Sequence, residues 1–328
     1  MYEYDKRVVL TLDAGGTNFV FSAIQGNNEM ISPIGLPAVS DNLDECLEVL
    51  VKGFDRVIAA IPVPPVAISF AFPGPADYEN GIIGDLPNFP SFRGGVALGP
   101  FLKHKYGIPV FIENDGNLFA YGEALSGALP MINRELSLAG CSREYKNLIG
   151  ITLGTGFGAG VVINKVLLTG DNGCGGDIWL MRNKKYPDML AEESVSIRAV
   201  RRVYSDLSGQ SSASLSPKDI YDIAEGIKEG NRHAAIASFN ELGMMAGAAI
   251  ASVLNVVDGL VVIGGGVAGA SKYILPALIT ELRAQLTTFS GNKFPCVSMQ
   301  VYNGEDESER ARFLSLSDSQ VVIPGTHL

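Results

Sequence analysis

The chain has 328 residues, 47% of them hydrophobic, and a formal net charge of −10. That length fits about two domains, and that composition excludes a disordered chain. The acidic balance, with no long basic run, excludes a nucleic-acid surface, which displaces phosphate counterions with lysine and arginine.

The first residues, MYEYDKR, contain no apolar signal-peptide core. Val8–Asp13 and Phe19–Ile24 are predicted strands, separated by the turn AGGTN. Asn42–Ile61 has Leu43, Cys46, Leu47, Leu50 and Val51 at helical spacing, with Asn42 or Asp41 as the cap. VAISFAFPG, residues 66–74, is predicted to be a buried strand stopped by proline and glycine. GIPVFIEND, residues 107–115, is a third buried strand leading into the helix NLFAYGEALSGA. The opening pattern then returns as strand, glycine loop, strand and a further strand over residues 147–170. A long helix over about Arg232–Asn255 precedes a strand at Leu260–Ile263 and the loop Gly264–Gly266. Asn255 and the Asp258–Gly259 pair interrupt the apolar stretch Met244–Ala270, so it is expected to be a buried helix and strand, with no membrane span. Strands alternating with helices predict an α/β fold with mixed or parallel sheets covered by helices.

The four cysteines, Cys46, Cys141, Cys174 and Cys296, form no Cys-x-x-Cys pair, and only three histidines are present. Neither a zinc ribbon nor a redox pair is signalled, and a reduced cytoplasmic chain is expected.

Two glycine loops carry the chemistry. The P-loop requires Gly-Lys-Ser/Thr running into a helix, and no such lysine follows Gly16 or Gly158. The dinucleotide turn also requires a helix next, whose N-terminus holds the pyrophosphate. Here apolar strand sequence follows both loops, so both are expected to be β-hairpin tips. Such tips are either plain turns or phosphate grips, because glycine lets backbone N–H groups approach an anion and hydroxyls add donors. Asp13, ending a buried strand beside the first tip, suits Mg²⁺ held through water. Asp115, ending another, is either a helix N-cap or a general base. The two readings coexist if Asn114 caps while Asp115 takes the proton.

Together these motifs resemble the ROK family (repressors, open reading frames and sugar kinases) of the actin-like sugar kinases, over about residues 7–285. LDAGGTN looks like the family's first phosphate loop, LGTGFGAGVV like its second and VVIGGGVA like its adenosine-side loop. FAFPGPAD, LPNF and ENDGNLFAYGE look like its sugar segments. The resemblance implies a two-domain actin-like (ribonuclease H-like) sugar kinase fold with its cleft between the domains. These are a small N-terminal α/β domain, 1–117, and a larger one, 118–328. It implies Asp115 as catalytic base and Gly74, Asn88, Asn114, Asp177 and Glu192 as sugar contacts. It implies ATP binding by Asp13, Gly15, Gly16, Thr17, Asn18, Gly154, Thr155, Gly156, Gly158, Gly264, Gly265 and Gly266, with Mg²⁺ near Asp13. A hexose substrate and a homodimer are further implications.

The departures reshape the expected pocket. GDNGCGGDIWLM puts Asp177 at the family's glutamate, Trp179 at a glycine and Leu180 at the histidine that touches sugar and zinc. The family's cysteine cluster is missing from MRNKKYPDMLAEESVS, so no zinc is expected. The family's closing Gly/Ala-rich helix is also expected to be absent. The main expectation is ATP-dependent phosphorylation of a hexose, glucose or an N-acetylated amino sugar first. The alternatives are a sugar-sensing transcriptional regulator and a non-catalytic sugar-binding relic. Only twelve residues precede Asp13, too few for a helix-turn-helix segment, and the protein is acidic, so a DNA-binding regulator is not expected.

Overall fold

The alternation of Val8, Leu10 and Leu12 becomes strand β1 (Val8–Ala14), with those three side chains on its buried face. The computed structural model describes residues 2–15, 17–72, 74, 76–84 and 89–315. The chain divides into two units, Met1–Ser126 with Thr169–Gly175, and Gly127–Leu168 with Gly176–Leu328.

In the first unit, β1 is followed by β2 (Asn18–Gln25), β3 (Asn28–Glu29), β4 (Ile34–Pro37) and helix α1 (Leu43–Ala60). Then come β5 (Ala67–Ala71), the short pair β6 (Ala76–Asp77) and β7 (Ile82–Ile83), α2 (Leu98–Tyr106), β8 (Val110–Glu113) and α3 (Asp115–Leu125). The main sheet has the order β3-β2-β1-β5-β8, with β4 also on β2. β1 runs antiparallel to β2 and parallel to β5, and β5 runs parallel to β8. Asn42 caps α1 by accepting the Glu45 amide at 3.3 Å, while its own amide donates to the Glu45 carboxylate at 2.8 Å. Helix α1 buries Cys46, Leu50, Gly53, Phe54 and Val57, one face at helical spacing. Phe54 meets Phe21 edge-on, with centroids 5.1 Å apart, and Phe70, Phe72, Phe89 and Phe92 extend this aromatic core.

The second unit begins with α4 (Ala128–Leu138), which the sequence analysis leaves unassigned. The expected boundary at 117/118 falls inside α3, all of which lies in the first unit. Next come β9 (Leu148–Leu153), β10 (Phe157–Ile163), β11 (Val166–Leu167), α5 (Ile197–Ser208), α6 (Pro217–Glu225), α7 (Arg232–Leu254), β12 (Leu260–Gly264) and α8 (Ser271–Leu282). The sheet order is β11-β10-β9-β12, with β9 and β12 parallel. A hairpin, β13 (Gln285–Thr287) and β14 (Lys293–Pro295), precedes the charged helix α9 (Glu307–Leu314). Arg310 holds α9 to α4 through both oxygens of Glu135, at 2.6 and 2.7 Å.

Helix α7 is apolar enough for a membrane span, yet 67% of its apolar window is buried inside the protein. It is the spine of the second core, and its small residues let α8 approach closely. A Cβ on Gly243 would overlap the Ile274 carbonyl oxygen, with the carbonyl carbon 3.0 Å away. Backbone cannot yield as a side-chain tip can. Gly243→Ala is expected to destabilise the second unit by about 1–3 kcal/mol. Gly122, inside α3, has nothing within 4 Å of such a Cβ. There alanine is expected to gain about 0.5–1 kcal/mol from helix propensity. Urea unfolding of the two variants checks both signs.

Candidate active site

Three strands of the first unit end side by side. Asp13 in β1 is opposite Ala71 in β5, and Ala71 is opposite Glu113 in β8. The carboxyl ends of parallel strands are where open α/β sheets hold ligands. The topology therefore brings the turn after Asp13, the segment leading to Gly74, and Asn114–Asp115 to one sheet edge.

The first glycine turn is a hairpin tip, as its flanks required. β1 and β2 pair up to Ala14 opposite Phe19, and no helix follows. Asp13, Thr17 and Asn18 are exposed. A Cβ on Gly15 would lie 2.9 Å from the Asn18 carbonyl oxygen, so the tight turn requires glycine there. The Thr17 carbonyl accepts the Ala38 amide at 2.9 Å, which ties the tip to β4. Gly16 and Asn88 lie outside the described residues.

At the end of β8, the Asn114 side chain caps α3. Its Oδ1 accepts the amides of Gly116 at 2.9 Å and Asn117 at 3.3 Å. Asp115 is then the first helical residue, exposed, with its Oδ1 accepting the Gly116 amide at 2.9 Å. The partial positive charge of a helix N-terminus favours a carboxylate at that position. Glu113 braces the turn from behind, accepting the Asn114 amide at 2.8 Å and the buried Asn117 side chain at 3.1 Å. Gly74 is exposed, and a Cβ there would lie 3.0 Å from the Tyr78 hydroxyl. Burial pushes the Tyr78 phenol up to about 12, so it remains a protonated donor.

The second unit gathers three further segments. Leu153 is opposite Phe157 across β9 and β10, so the tip is confined to Gly154, Thr155 and Gly156. Gly158 lies within β10, opposite Thr152. The Gly154 amide donates to the Gly156 carbonyl at 3.1 Å, and its carbonyl accepts the Ile197 amide at 2.9 Å. Glu192 sits on this tip. Its Oε2 accepts the Phe157 amide at 3.0 Å, and its Oε1 accepts Arg198 at 3.2 Å. A Cβ on Gly156 would lie 2.5 Å from the same Oε2. β12 ends at Gly264, also opposite Thr152, and the Val267 amide donates to the Leu153 carbonyl at 2.9 Å. The tip Gly154–Gly156, Glu192 and Gly264–Gly266 are thus contiguous, with Thr155, Gly265 and Gly266 exposed.

Asp177 is exposed and precedes a 3₁₀ turn, Ile178–Leu180. Gly176 places it there, with φ +91° and a would-be Cβ 3.2 Å from the Ala159 carbonyl oxygen. Trp179 packs on the second core, and Leu180 is 52% exposed. The sequence reading missed Tyr78, Glu113, Asn117 and Arg198. Glu113 and Asn117 flank the Asn-Asp pair and signal a polar brace. Tyr78 and Arg198 carry no local signal, because their partners Phe72 and Glu192 lie six residues earlier, a spacing that fits neither helix nor strand.

Among the described residues, no three His, Cys, Asp or Glu side chains are grouped to hold a metal ion. An all-protein cage is therefore lacking there. One exposed carboxylate beside a glycine tip fits Mg²⁺, which keeps waters and takes phosphate oxygens as its other ligands.

Comparison with known proteins accords with this layout. The glucokinase of Parabacteroides distasonis is 60% identical in sequence, with a TM-score of 0.89 over 100% of this chain and 90% of that one. The glucokinase of Thermotoga maritima is 26% identical over 290 residues, 83% of this chain and 86% of that protein. The ROK hexokinase of Thermus thermophilus, at 23% identity, shares the fold with a TM-score of 0.66 over 84% of this chain and 89% of that one. Residues 9–308 match the ROK family as a whole, and the chain belongs to that family.

Proposed function

We infer that the chain is an ATP-dependent hexose kinase. The observation that carries this reading is the 60% identity to a glucokinase over 100% of the chain. The two sets of loops described above support it. Asp115 is the proposed base. It takes the proton of a sugar hydroxyl as that oxygen bonds to the γ-phosphorus and the bond to the ADP oxygen breaks. Asn114 and Glu192 are proposed sugar contacts, with Gly74, Asn88 and Asp177. Thr17, Asn18, Thr155 and the glycines of both tips offer amides and hydroxyls to the phosphates, and Gly264–Gly266 to the adenosine side. Mg²⁺ near Asp13 would supply charge neutralisation of the phosphates. The rate then comes from positioning and charge stabilisation.

Asp177 and Leu180 carry the proposed sugar preference. A shorter carboxylate and an apolar side chain replace a glutamate and an imidazole, which changes the hydroxyls that find partners. No zinc is proposed. An ATP-consuming enzyme fits the cytoplasm. The reading also carries a homodimer. The hairpin β13–β14 exposes Leu286, Phe289 and Phe294, an apolar surface that a dimer contact could cover.

A coupled ADP-release assay over glucose, N-acetylglucosamine, N-acetylmannosamine, mannose and fructose tests the function. Magnesium-dependent turnover is expected, with glucose the leading substrate. Absence of turnover with every sugar, in folded protein, would refute the kinase reading.

A further inference from the structure

Asn183 belongs to none of the sequence motifs, yet it is buried, at 1% exposure, with its side chain fully hydrogen-bonded. Its Oδ1 accepts the backbone amides of Lys185 and Tyr186, both at 3.0 Å. Its Nδ2 donates to the Leu190 carbonyl at 3.1 Å and to the Ser194 hydroxyl at 2.8 Å. An asparagine amide has two N–H donors and two acceptor lone pairs, so none is left over. The partners also fix its orientation, because backbone amides only donate and a carbonyl only accepts. The backbone amide of Asn183 donates to the Met189 carbonyl at 3.0 Å, closing residues 183–189 into a loop. Lys185 ties that loop to α7 through Glu241 at 2.7 Å, and Lys184 ties it to α8 through Glu281.

Leu190 and Ser194 stand on either side of Glu192, so the Asn183 Nδ2 grips the chain both before and after the glutamate. Between the two grips the chain makes the 3₁₀ turn Ala191–Glu193. The carboxylate of Glu192 is held separately, by the Phe157 amide and by Arg198. A buried polar network with every member satisfied is rigid.

We propose that Asn183 is a positioning residue that holds Glu192 in place for the sugar by clamping the chain on either side of it. The tip Gly154–Gly156 has supports of its own, the β9–β10 ladder and the Ile197 amide on the Gly154 carbonyl. Loosening the clamp therefore frees the glutamate while the phosphate tip keeps its place. This inference rests on the kinase reading, with Glu192 as a sugar contact.

The test uses Ser194→Ala, Asn183→Asp and Glu192→Ala. Ser194→Ala removes one grip at little change in volume. Asn183→Asp removes both N–H donors and turns an oxygen toward the Leu190 carbonyl. Ser194→Ala is expected to raise the sugar KM about three- to tenfold, and Asn183→Asp to raise it further. The KM for ATP should stay within about twofold in Ser194→Ala. In the Glu192→Ala background the effect of Ser194→Ala on the sugar KM should vanish, because the group it positions is gone. Its lowering of the urea midpoint should remain in that background, which separates positioning from a purely structural role. An unchanged sugar KM in Ser194→Ala, an equal rise in the ATP KM, or an effect that persists without Glu192 would overturn the proposal. If Asn183→Asp does not fold, Ser194→Ala carries the test alone. A wild type that turns over no hexose ends the kinase reading, a different failure. The clamp is then read by calorimetric titration with glucose, whose Kd should weaken in Ser194→Ala by the same factor. An unchanged Kd would overturn the clamp.

Discussion

Asp115→Asn is expected to lower kcat by about 10²–10⁴, the usual contribution of a positioned general base. The substitution isolates the chemistry from the fold. Asparagine has the same shape, and the cap belongs to Asn114, whose Oδ1 holds the Gly116 and Asn117 amides. The oxygen at position 115 that accepts the Gly116 amide at 2.9 Å remains available in asparagine. Only the charge in the first turn of α3 is lost, a stability change of about 0.3–1 kcal/mol. The KM values for sugar and ATP should therefore move far less than kcat. Stopped-flow or coupled steady-state kinetics on folded variant would decide it. Retention of the wild-type rate would refute Asp115 as base while leaving the family membership intact. The same result separates a working kinase from a sugar-binding relic, because a relic has no rate to lose.

How far the sequence carried the site depends on the kind of signal each residue gives. Asp13, Gly15, Thr17 and Asn18 were legible because an apolar strand on each side of a glycine turn leaves only a hairpin. The helix cap at Asn114 was legible for a similar reason. Strand β8 must end before the helix α3, and an asparagine at the junction is a natural cap. The second tip was read too long. GTGFGAG looks like one continuous loop, but Gly158 and Gly160 take ladder positions opposite Thr152 and Gly150. Glycines in a strand give the same local signal as glycines in a loop. Trp179 stands where the family pattern has a glycine. It packs on the second core, which one chain's local pattern cannot distinguish. Tyr78 and Arg198 were invisible for a stronger reason. Each bonds a residue six positions earlier, Phe72 and Glu192, a spacing that belongs to neither a helix nor a strand.

Gly265→Ala is expected to raise the KM for ATP at least about tenfold and to cost about 1–3 kcal/mol of stability. Two separate constraints act at this position. Its φ of +91° is in the region that side-chain-bearing residues rarely adopt. A Cβ would also overlap the Leu153 carbonyl oxygen and lie 2.7 Å from the Leu153 amide nitrogen. Neither atom can swing aside, because both belong to the end of β9. That carbonyl already accepts the Val267 amide at 2.9 Å, and the next residue, Gly154, begins the tip proposed to hold phosphate. Relief of the overlap must move the tip, the Gly264–Gly266 loop, or both. Gly266→Ala is the control. A Cβ there meets nothing within 4 Å, so its stability should match the wild type. If nucleotide lies over that glycine, the same methyl group will still weaken ATP binding. A pair of variants, one disturbing fold and nucleotide together and one disturbing nucleotide alone, therefore tests the adenosine-side assignment. Calorimetric ATP titration beside urea unfolding gives both readouts. Wild-type ATP affinity in both variants would remove Gly264–Gly266 from the nucleotide site. Glu192 adds a further reach, since its carboxylate rests on Gly156 of the same tip. Movement of the tip by Gly265→Ala should thus disturb the sugar KM as well, whereas Gly266→Ala should leave it unchanged.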